Sequence, residues 1–366
     1  MLKQIRRLLI SVVILMLFGI STPLPAKAVT IDPLTGEDKL PLKICRVGEA
    51  PKPPIFERKK VHLGITPTGW SNSDDRSIDL VPPIPYQQIL SEMELAGFKG
   101  SQVSPKYPAD IDILHDELEL RKLKISEPWV GTKFTTNRSE VSKEIFHQQM
   151  DYMKSLGDRA SKIIVVAELG GAVHQQPVEP LNNRPIYSDE QWDKLTAGLN
   201  EIGKEAHEAG MRLVYHPHVG TGVETRKDID RLMNNTDPKY VKLLLDTGHL
   251  YYAGVDPLKV TEDYAYRIGH VHLKNIRKDK LDDSQNKKLS FIESIKNGVF
   301  TVPGDCSGVI EFEPIFKALA NFKDKKGEDK TYKGWLVVEA EQDPNKAEPL
   351  LYAQTARKYL HQVTGL

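Results

Sequence analysis

The sequence predicts an α/β chain folded as a (β/α)8 TIM barrel. Three observations lead there. From Val61 onward, eight short apolar runs alternate with amphipathic stretches. Several of the runs are continuously apolar, as parallel strands covered on both faces must be. Eight strand–helix units in roughly 300 residues also match the usual size of such a barrel. The competing fold, an open doubly wound sheet, carries a Gly-rich phosphate loop after its first strand. Here the first run is followed by ITPTGWSNSDD, which has no such pattern.

Taken in order, strands are expected at 61–66 (VHLGIT), 99–103 (KGSQV), 124–130 (KISEPWV), 162–168 (KIIVVAE), 211–216 (MRLVYH), 241–246 (VKLLLD), 268–274 (IGHVHLK) and 334–341. Helices are expected between them at 85–97 and 110–121. Val141, Ile145, Met153 and Leu156 then recur at helical spacing up to Gly157. Trp192, Leu195, Leu199, Ile202 and Ala206 do the same, and Gly210 ends that run as a C-terminal cap does. Further helices are expected at 225–234, 256–263, 310–322 and 344–363. The mixed-charge stretch 277–289 (RKDKLDDSQNKKL) reads as a solvated loop over the barrel mouth.

The first 28 residues are a separate object. Lys3, Arg6 and Arg7 precede an apolar run from Leu8 to Ile20, and Ala26-Lys27-Ala28 places small residues where a signal peptidase reads. The run is shorter than the roughly 20 residues of a spanning helix. A secretory signal peptide cleaved near Ala28 is therefore expected, with export to a periplasmic or extracellular compartment and membrane contact only if the segment stays uncleaved. Residues 29–60 carry Pro33, Pro41, Pro51, Pro53 and Pro54 and read as a Pro-rich tether, followed by one barrel domain over 61–366. The two cysteines, Cys45 and Cys306, exclude a disulfide-built scaffold, and their pairing stays open.

The whole chain has 50 Lys+Arg against 50 Asp+Glu. Removing 1–28 takes away Lys3, Arg6, Arg7 and Lys27 and no acid, which leaves 46 against 50, a net charge of −4. That balance disfavours nucleic acid as a partner.

Barrel active sites lie at the C-terminal ends of the strands. Five expected strand ends carry metal-capable or acid–base groups: Glu168; His216 and His218; Asp246 with His249; His270, His272 and Lys274; Glu339 and Glu341. Residues i and i+2 of a strand share a face, so each of the pairs 216/218, 270/272 and 339/341 points one way. Imidazoles and carboxylates together suit Mn2+, Co2+, Zn2+ or Fe2+, and the absence of neighbouring Cys disfavours a structural zinc site. Trp70, Trp129, Tyr251 and Tyr252 lie near the expected mouth, where stacking on a sugar face and packing in the core are both open readings.

The segments GITPTGWSNSD (64–74), ILSEMELAGFKGSQVSPKYP (89–108), VVAELGGAVH (165–174), YHPHVGTGVET (215–225), LLLDTGHLYYAG (244–254), RIGHVHLKNIR (267–277), GVFTVPGD (298–305) and GWLVVEAEQDP (334–344) resemble the xylose isomerase-like TIM-barrel family, and within it the myo-inosose-2 dehydratases. The resemblance spans nearly the whole chain from Val61. It implies a divalent metal, Mn2+ or Co2+ before Zn2+ or Mg2+, held by Asp246, His272 and Glu339, with His216 where many superfamily members have Glu. By position it implies acid–base work for Glu168, His218 and Lys274, and substrate contacts for His249, Trp70 and Glu341.

The activity implied is loss of water from a keto-polyol such as 2-keto-myo-inositol through a metal-stabilised enediolate. Reprotonation of the same enediolate would make the chain an exported isomerase or epimerase of a keto-sugar. A non-catalytic exported sugar-binding barrel is the third reading. The partner in each case is a small molecule, and a homo-oligomer is compatible with all three. An endonuclease-like reading fits poorly with export and a net negative mature chain.

Overall fold

The computed structural model describes residues 29–31, 39–45, 52–136 and 138–366. The expected signal segment, 1–28, lies outside them. Eight parallel strands form the barrel: β1 Val61–Ile65, β2 Gly100–Gln102, β3 Lys124–Glu127 resumed as Trp129–Thr132, β4 Ile163–Glu168, β5 Arg212–Tyr215, β6 Val241–Asp246, β7 Ile268–Leu273 and β8 Gly334–Val338. Every neighbouring pair is parallel, and each strand falls within the segment expected for it except β3, whose second half runs two residues past 124–130 to Thr132. Strand β3 breaks at Pro128, which has no N–H to donate. Its first half pairs with β2 and its second half with β4, so the ring closes through one bent strand. The Pro128 carbonyl still accepts from the Val165 amide at 3.1 Å, which keeps the two halves in one wall.

A helix follows each strand: α1 Tyr86–Leu95, α2 Ile111–Leu120, α3 Ser139–Ser155, α4 Asp189–Glu208, α5 Arg226–Asn235, α6 Pro257–Tyr264, α7 Phe312–Ala320 and α8 Pro349–Thr364. Helix α4 shows why local sequence suffices. Ser188 and Gln191 form a reciprocal capping box, and Trp192, Leu195, Leu199, Ile202 and Ala206 are all buried on one face. Gly210, at φ +73°, ends the helix, and the Met211 amide returns to the Ala206 carbonyl at 2.7 Å.

Two layers of apolar side chains make the core. The larger lies between strands and helices. The smaller fills the barrel itself with Ile163, Val165, Val214, Leu244, Trp335 and Val337.

The stretch 277–289 is not a loop. It forms a helix, Lys278–Asn286, and after a capping box at Ser290 a second short helix, Phe291–Lys296. Its mixed charges are spaced for i,i+4 pairs, Lys278 with Asp282 and Asp283 with Lys287, while Leu281 and Ser284 turn inward. This excursion between β7 and α7 carries Phe291 and Phe300 over the mouth and is pinned by Arg277. The buried Arg277 guanidinium donates to the Gly298 and Phe300 carbonyls, to Thr301 Oγ1 and to Asp305 Oδ2 at 2.8 Å.

The described part of the N-terminal segment docks on the same excursion. Residues Leu42–Ile44 run beside it, the Cys306 amide donates to the Lys43 carbonyl at 2.6 Å, and Cys45 is disulfide-bonded to Cys306 with their Cα atoms 5.0 Å apart. Phe56 is buried against Phe316.

Arg277→Met should strip a buried carboxylate, Asp305, of its countercharge and lower stability by about 3 kcal/mol in urea unfolding. A loss below about 1 kcal/mol, the range of an exposed pair, would refute this role.

Candidate metal centre and active site

The upper ends of β5 to β8 converge. Asp246 closes β6 and caps the short helix Thr247–Tyr252, its Oδ1 accepting from the His249 amide at 2.8 Å. That leaves Oδ2 turned toward the barrel axis. His272 on β7 is the register partner of Asp246, and its Nδ1 lies 3.7 Å from Asp246 Oδ2 and 3.0 Å from Glu339 Oε2. Glu339 follows β8 directly, its amide bound to the Leu273 carbonyl at 3.2 Å. His216 follows β5 and brings Nε2 to 3.6 Å from Asp246 Oδ2. His216, Asp246, His249 and Glu339 each offer a ligand atom within 4.8 Å of the others, and all four are buried.

Lys274 enters the cluster from just beyond β7. Its Nζ sits 3.2 Å from Glu339 Oε2, 2.5 Å from Glu341 Oε2, 3.8 Å from Asp246 Oδ2 and 2.8 Å from His249 Nε2. Its stem passes over Gly248, where a Cβ would come within 2.5 Å of Lys274 Cγ, so the glycine of the DTGH motif makes room for it. Burial works against the Lys274 ammonium, but Glu339, Glu341 and Asp246 outweigh it and hold its pKa above the ordinary value. Burial would likewise raise the Asp246 carboxyl, yet Lys274 and His249, with the His216 and His272 rings beside it, hold it well below the usual range. Glu341 is pushed up to about 8, chiefly by burial, with Lys274 opposing and Glu339 and Asp74 adding to the rise.

The donor set fits a divalent cation. Three carboxylates, Asp246, Glu339 and Glu341, face one lysine. Asp246 Oδ2 is buried with no hydrogen-bond partner, an arrangement that is costly unless another group satisfies it. His272 is braced for ligation, because its far nitrogen, Nε2, lies 3.2 Å from Glu127 Oε1. A carboxylate behind a ligating histidine fixes its tautomer and orientation. Burial lowers the His272 pKa, but Glu339, Asp246 and Glu127 outweigh it and hold it well above the ordinary value. Glu127 also faces His270 Nε2 at 3.2 Å, and despite complete burial His270 and His272 hold its carboxyl at about 2.

Sequence reasoning missed Glu127. Its signal was an ionisable residue inside a barrel strand, one step before Pro128. It also missed the role of Trp129, whose indole N–H donates to His216 Nδ1 at 3.2 Å. An indole only donates, so the neutral His216 carries its proton on Nε2, facing Asp246. Asp246 and Glu339, with His272 Nδ1 within 3.7 Å of both, are thus candidate ligands, and His216 is held as their neighbour.

Above the cluster opens a cavity of about 360 Å³ lined by Gln102, Trp129, His174, His216, His218 and Glu341, among others. His218 was expected there and is there. Its Nδ1 lies 2.8 Å from the Val219 carbonyl, which fixes the proton on Nδ1, and its ring packs 3.9 Å from that of His249. Burial, then His174 and His216, keeps the His218 ring neutral.

Two expected site residues are elsewhere. Glu168 does not reach the cluster. Its two oxygens accept from Thr132 Oγ1, the Phe134 amide, the Thr135 amide, Thr135 Oγ1 and the Gly170 amide, at 2.8–3.1 Å, so its lone pairs are spent holding the loop after β3. Trp70 is buried in the wall with its N–H bound to Glu92 Oε2 at 2.5 Å, and the aromatic face at the mouth is that of Trp129. Tyr252 packs against Phe300 in the core, 5.9 Å between rings.

Known proteins are similar to this sequence along most of its length. Inosose dehydratase of Bacillus cereus (strain AH820) is 44% identical over 313 residues, covering 85% of this chain and 100% of that protein. Inosose dehydratase of Geobacillus thermodenitrificans (strain NG80-2) is 45% identical over 313 residues with the same coverage, and that of Clostridium beijerinckii is 44% identical over 312 residues. Among solved structures, an L-ribulose 3-epimerase superposes with a TM-score of 0.57 at 20% identity, covering 83% of this chain and 95% of that one. A probable 3-DHS dehydratase from Bacillus anthracis superposes with a TM-score of 0.56 at 13% identity, covering 82% and 98%; at such identities these two likenesses speak to fold alone. The model of the family described as xylose isomerase-like TIM barrel matches residues 90–362, and the chain belongs to that family.

Proposed function

We propose that the protein is a hydro-lyase that removes water from a keto-cyclitol of the inosose type. The reading rests on one observation: the likeness to inosose dehydratases runs over the full length of those relatives. The reaction breaks a C–H bond beside the ketone and a C–O bond one carbon further on. The C–H electron pair becomes the new double bond, the hydroxyl leaves as water, and the resulting enol relaxes to a diketone.

Asp246, His272 and Glu339 would hold a divalent cation, Mn2+ or Co2+ by donor type, which when bound would supply positive charge to offset the negative charge that develops on the substrate. The other parts belong to the chain. His218 presents Nε2, the basic nitrogen left by its Nδ1–H bond to Val219, and it lines the cavity where the substrate ring lies. Glu341 lines the same cavity and touches Lys274 at 2.5 Å, which makes that pair the proton donor to the leaving hydroxyl. Trp129 offers an apolar face for the cyclitol ring.

Export completes the proposal. The signal-like segment 1–28 supports it, and so does the Cys45–Cys306 disulfide, a bond that persists in oxidising compartments. Mass spectrometry of the protein purified from an exporting host should find Val29 at the N-terminus and no free thiol. An intact Met1 or two free thiols would argue for a cytoplasmic enzyme.

The mature protein should convert 2-keto-myo-inositol to a diketone with an ultraviolet absorbance rise, lose the activity on chelation and regain it with Mn2+ or Co2+. Stereochemical inversion of keto-sugars with no loss of water would replace this reading with an epimerase.

The geometry also separates two buried glutamates. Glu127→Gln removes the charge behind His272 and should weaken metal binding, read by calorimetry, about 10- to 100-fold. Glu168→Gln should lower the melting temperature and leave metal affinity within about twofold, since its carboxylate serves the loop after β3. The reverse pattern would show that Glu168 serves the centre and Glu127 does not.

A further inference from the structure

At the opposite, N-terminal end the barrel opens into a second cavity of about 1020 Å³. Six of the eight strands place a cation at its rim: Lys99 just before β2, Lys124 opening β3, Lys162 before β4, Arg212 opening β5, Lys242 in β6 and Lys333 before β8. Lys122 and Lys239, in the preceding turns, line it as well, and no Asp or Glu does. Elsewhere on the surface, lysines are commonly paired within a helical turn, as Lys154 is with Asp151 and Lys194 with Glu190. Among the described residues, none of the six rim cations has a carboxylate within ion-pair distance. The acid that Lys242 senses, Asp237, is outweighed: burial first, then Arg267 and Arg212, bring the Lys242 ammonium down to about 8.

This is not the by-product of a basic protein, since Lys+Arg and Asp+Glu are equal in the chain. The ring is also held in place. The Lys124 amide donates to the Lys99 carbonyl at 3.0 Å, and the Arg212 amide to the Lys162 carbonyl at 2.8 Å, so the backbones that carry the cations are locked to one another across the sheet. Arg212 Nη1 is steadied on the Gly269 carbonyl at 3.3 Å. The floor is the Trp335 ring, with His62 beside it at 5.1 Å. A cleft with walls of one sign concentrates counter-ions of the other, and an unpaired ring of this kind repels itself until one arrives. Its closed floor suits a compact molecule better than a nucleic-acid duplex.

We infer that the lower end of the barrel is a binding site for a small molecule bearing several phosphate groups, one that reaches cations on opposite sides of the ring at once. The site lies across the barrel core from the buried cluster and has no part in turning over a neutral keto-cyclitol.

The test is calorimetric titration of the metal-loaded protein with sodium triphosphate at low salt, where screening is weakest. Saturable one-to-one binding is expected. Lys124→Gln/Lys162→Gln/Lys333→Gln should weaken it about tenfold or more, because each substitution removes a charge-assisted donor. Turnover at the mouth should be unchanged. Lys280→Gln/Lys288→Gln/Lys325→Gln, which removes three cations elsewhere, should bind like the parent. Absence of saturable binding, equal loss in both triple variants, or inorganic phosphate binding as tightly as triphosphate would overturn the assignment. So would binding that survives in the rim variant and vanishes in His272→Ala, because that would place the triphosphate at the metal.

Discussion

The constraint on which the rest of the structure depends is a set of charges placed where water does not reach. Asp246, Glu127, His272, Lys274, Glu339 and Glu341 are all buried at the top of the barrel. Charges in that setting cost several kcal/mol each unless neighbours compensate them. Here the neighbours are one another. Lys274 meets three carboxylates, and His272 is held between Glu127 on one side and Asp246 and Glu339 on the other. Removing any member strands the others, so the cluster ties the register of β6, β7 and β8 to its own neutrality.

The barrel serves that cluster in ways that look unrelated along the chain. Breaking β3 at Pro128 lets the strand turn from β2 to β4, with Glu127 beneath His272 and Trp129 beside His216. The same break puts Thr132 and Thr135 within reach of Glu168, three of whose five hydrogen bonds hold the loop that follows β3. Arg277 does for the β7–α7 excursion what Glu168 does for that loop, and the excursion lays Phe300 against Lys274, its Nζ 4.8 Å from the ring centroid. Rigid loops around a buried polar centre are what catalysis requires, because donors placed beforehand need not reorganise during reaction.

Much of this was legible before any coordinates. The eight strands were readable because parallel strands buried on both faces become apolar runs, and the helices because their caps and stripes are local. The ligand types were readable because barrel topology brings strand ends together; it was the family resemblance that singled out His272, Asp246 and Glu339 among them. What escaped depends on side-chain direction and on partners distant in sequence. Glu168 and Glu339 look alike as strand-end carboxylates, and only the donors around Glu168 show that its lone pairs are taken. Trp70 and Trp129 look alike as mouth aromatics, yet one is consumed by Glu92 and the other by His216. Glu127 lies 145 residues from His272, and no spacing rule joins them. The helices in 278–296 were lost to their polarity, because pairs four residues apart stabilise a helix without an apolar stripe.

The two ends of the barrel also give the chain's charge balance a spatial meaning. Lys+Arg and Asp+Glu cancel over the whole chain, yet one end buries a carboxylate excess and the other exposes an unpaired ring of cations. A divalent cation would satisfy the first. Nothing in the dehydration of a neutral polyol needs the second. Between them lies the dry layer of Ile163, Val165, Val214, Leu244, Trp335 and Val337, which keeps water from bridging the two ends. Trp335 belongs to both worlds, packed in that layer on one side and facing the lower cavity on the other.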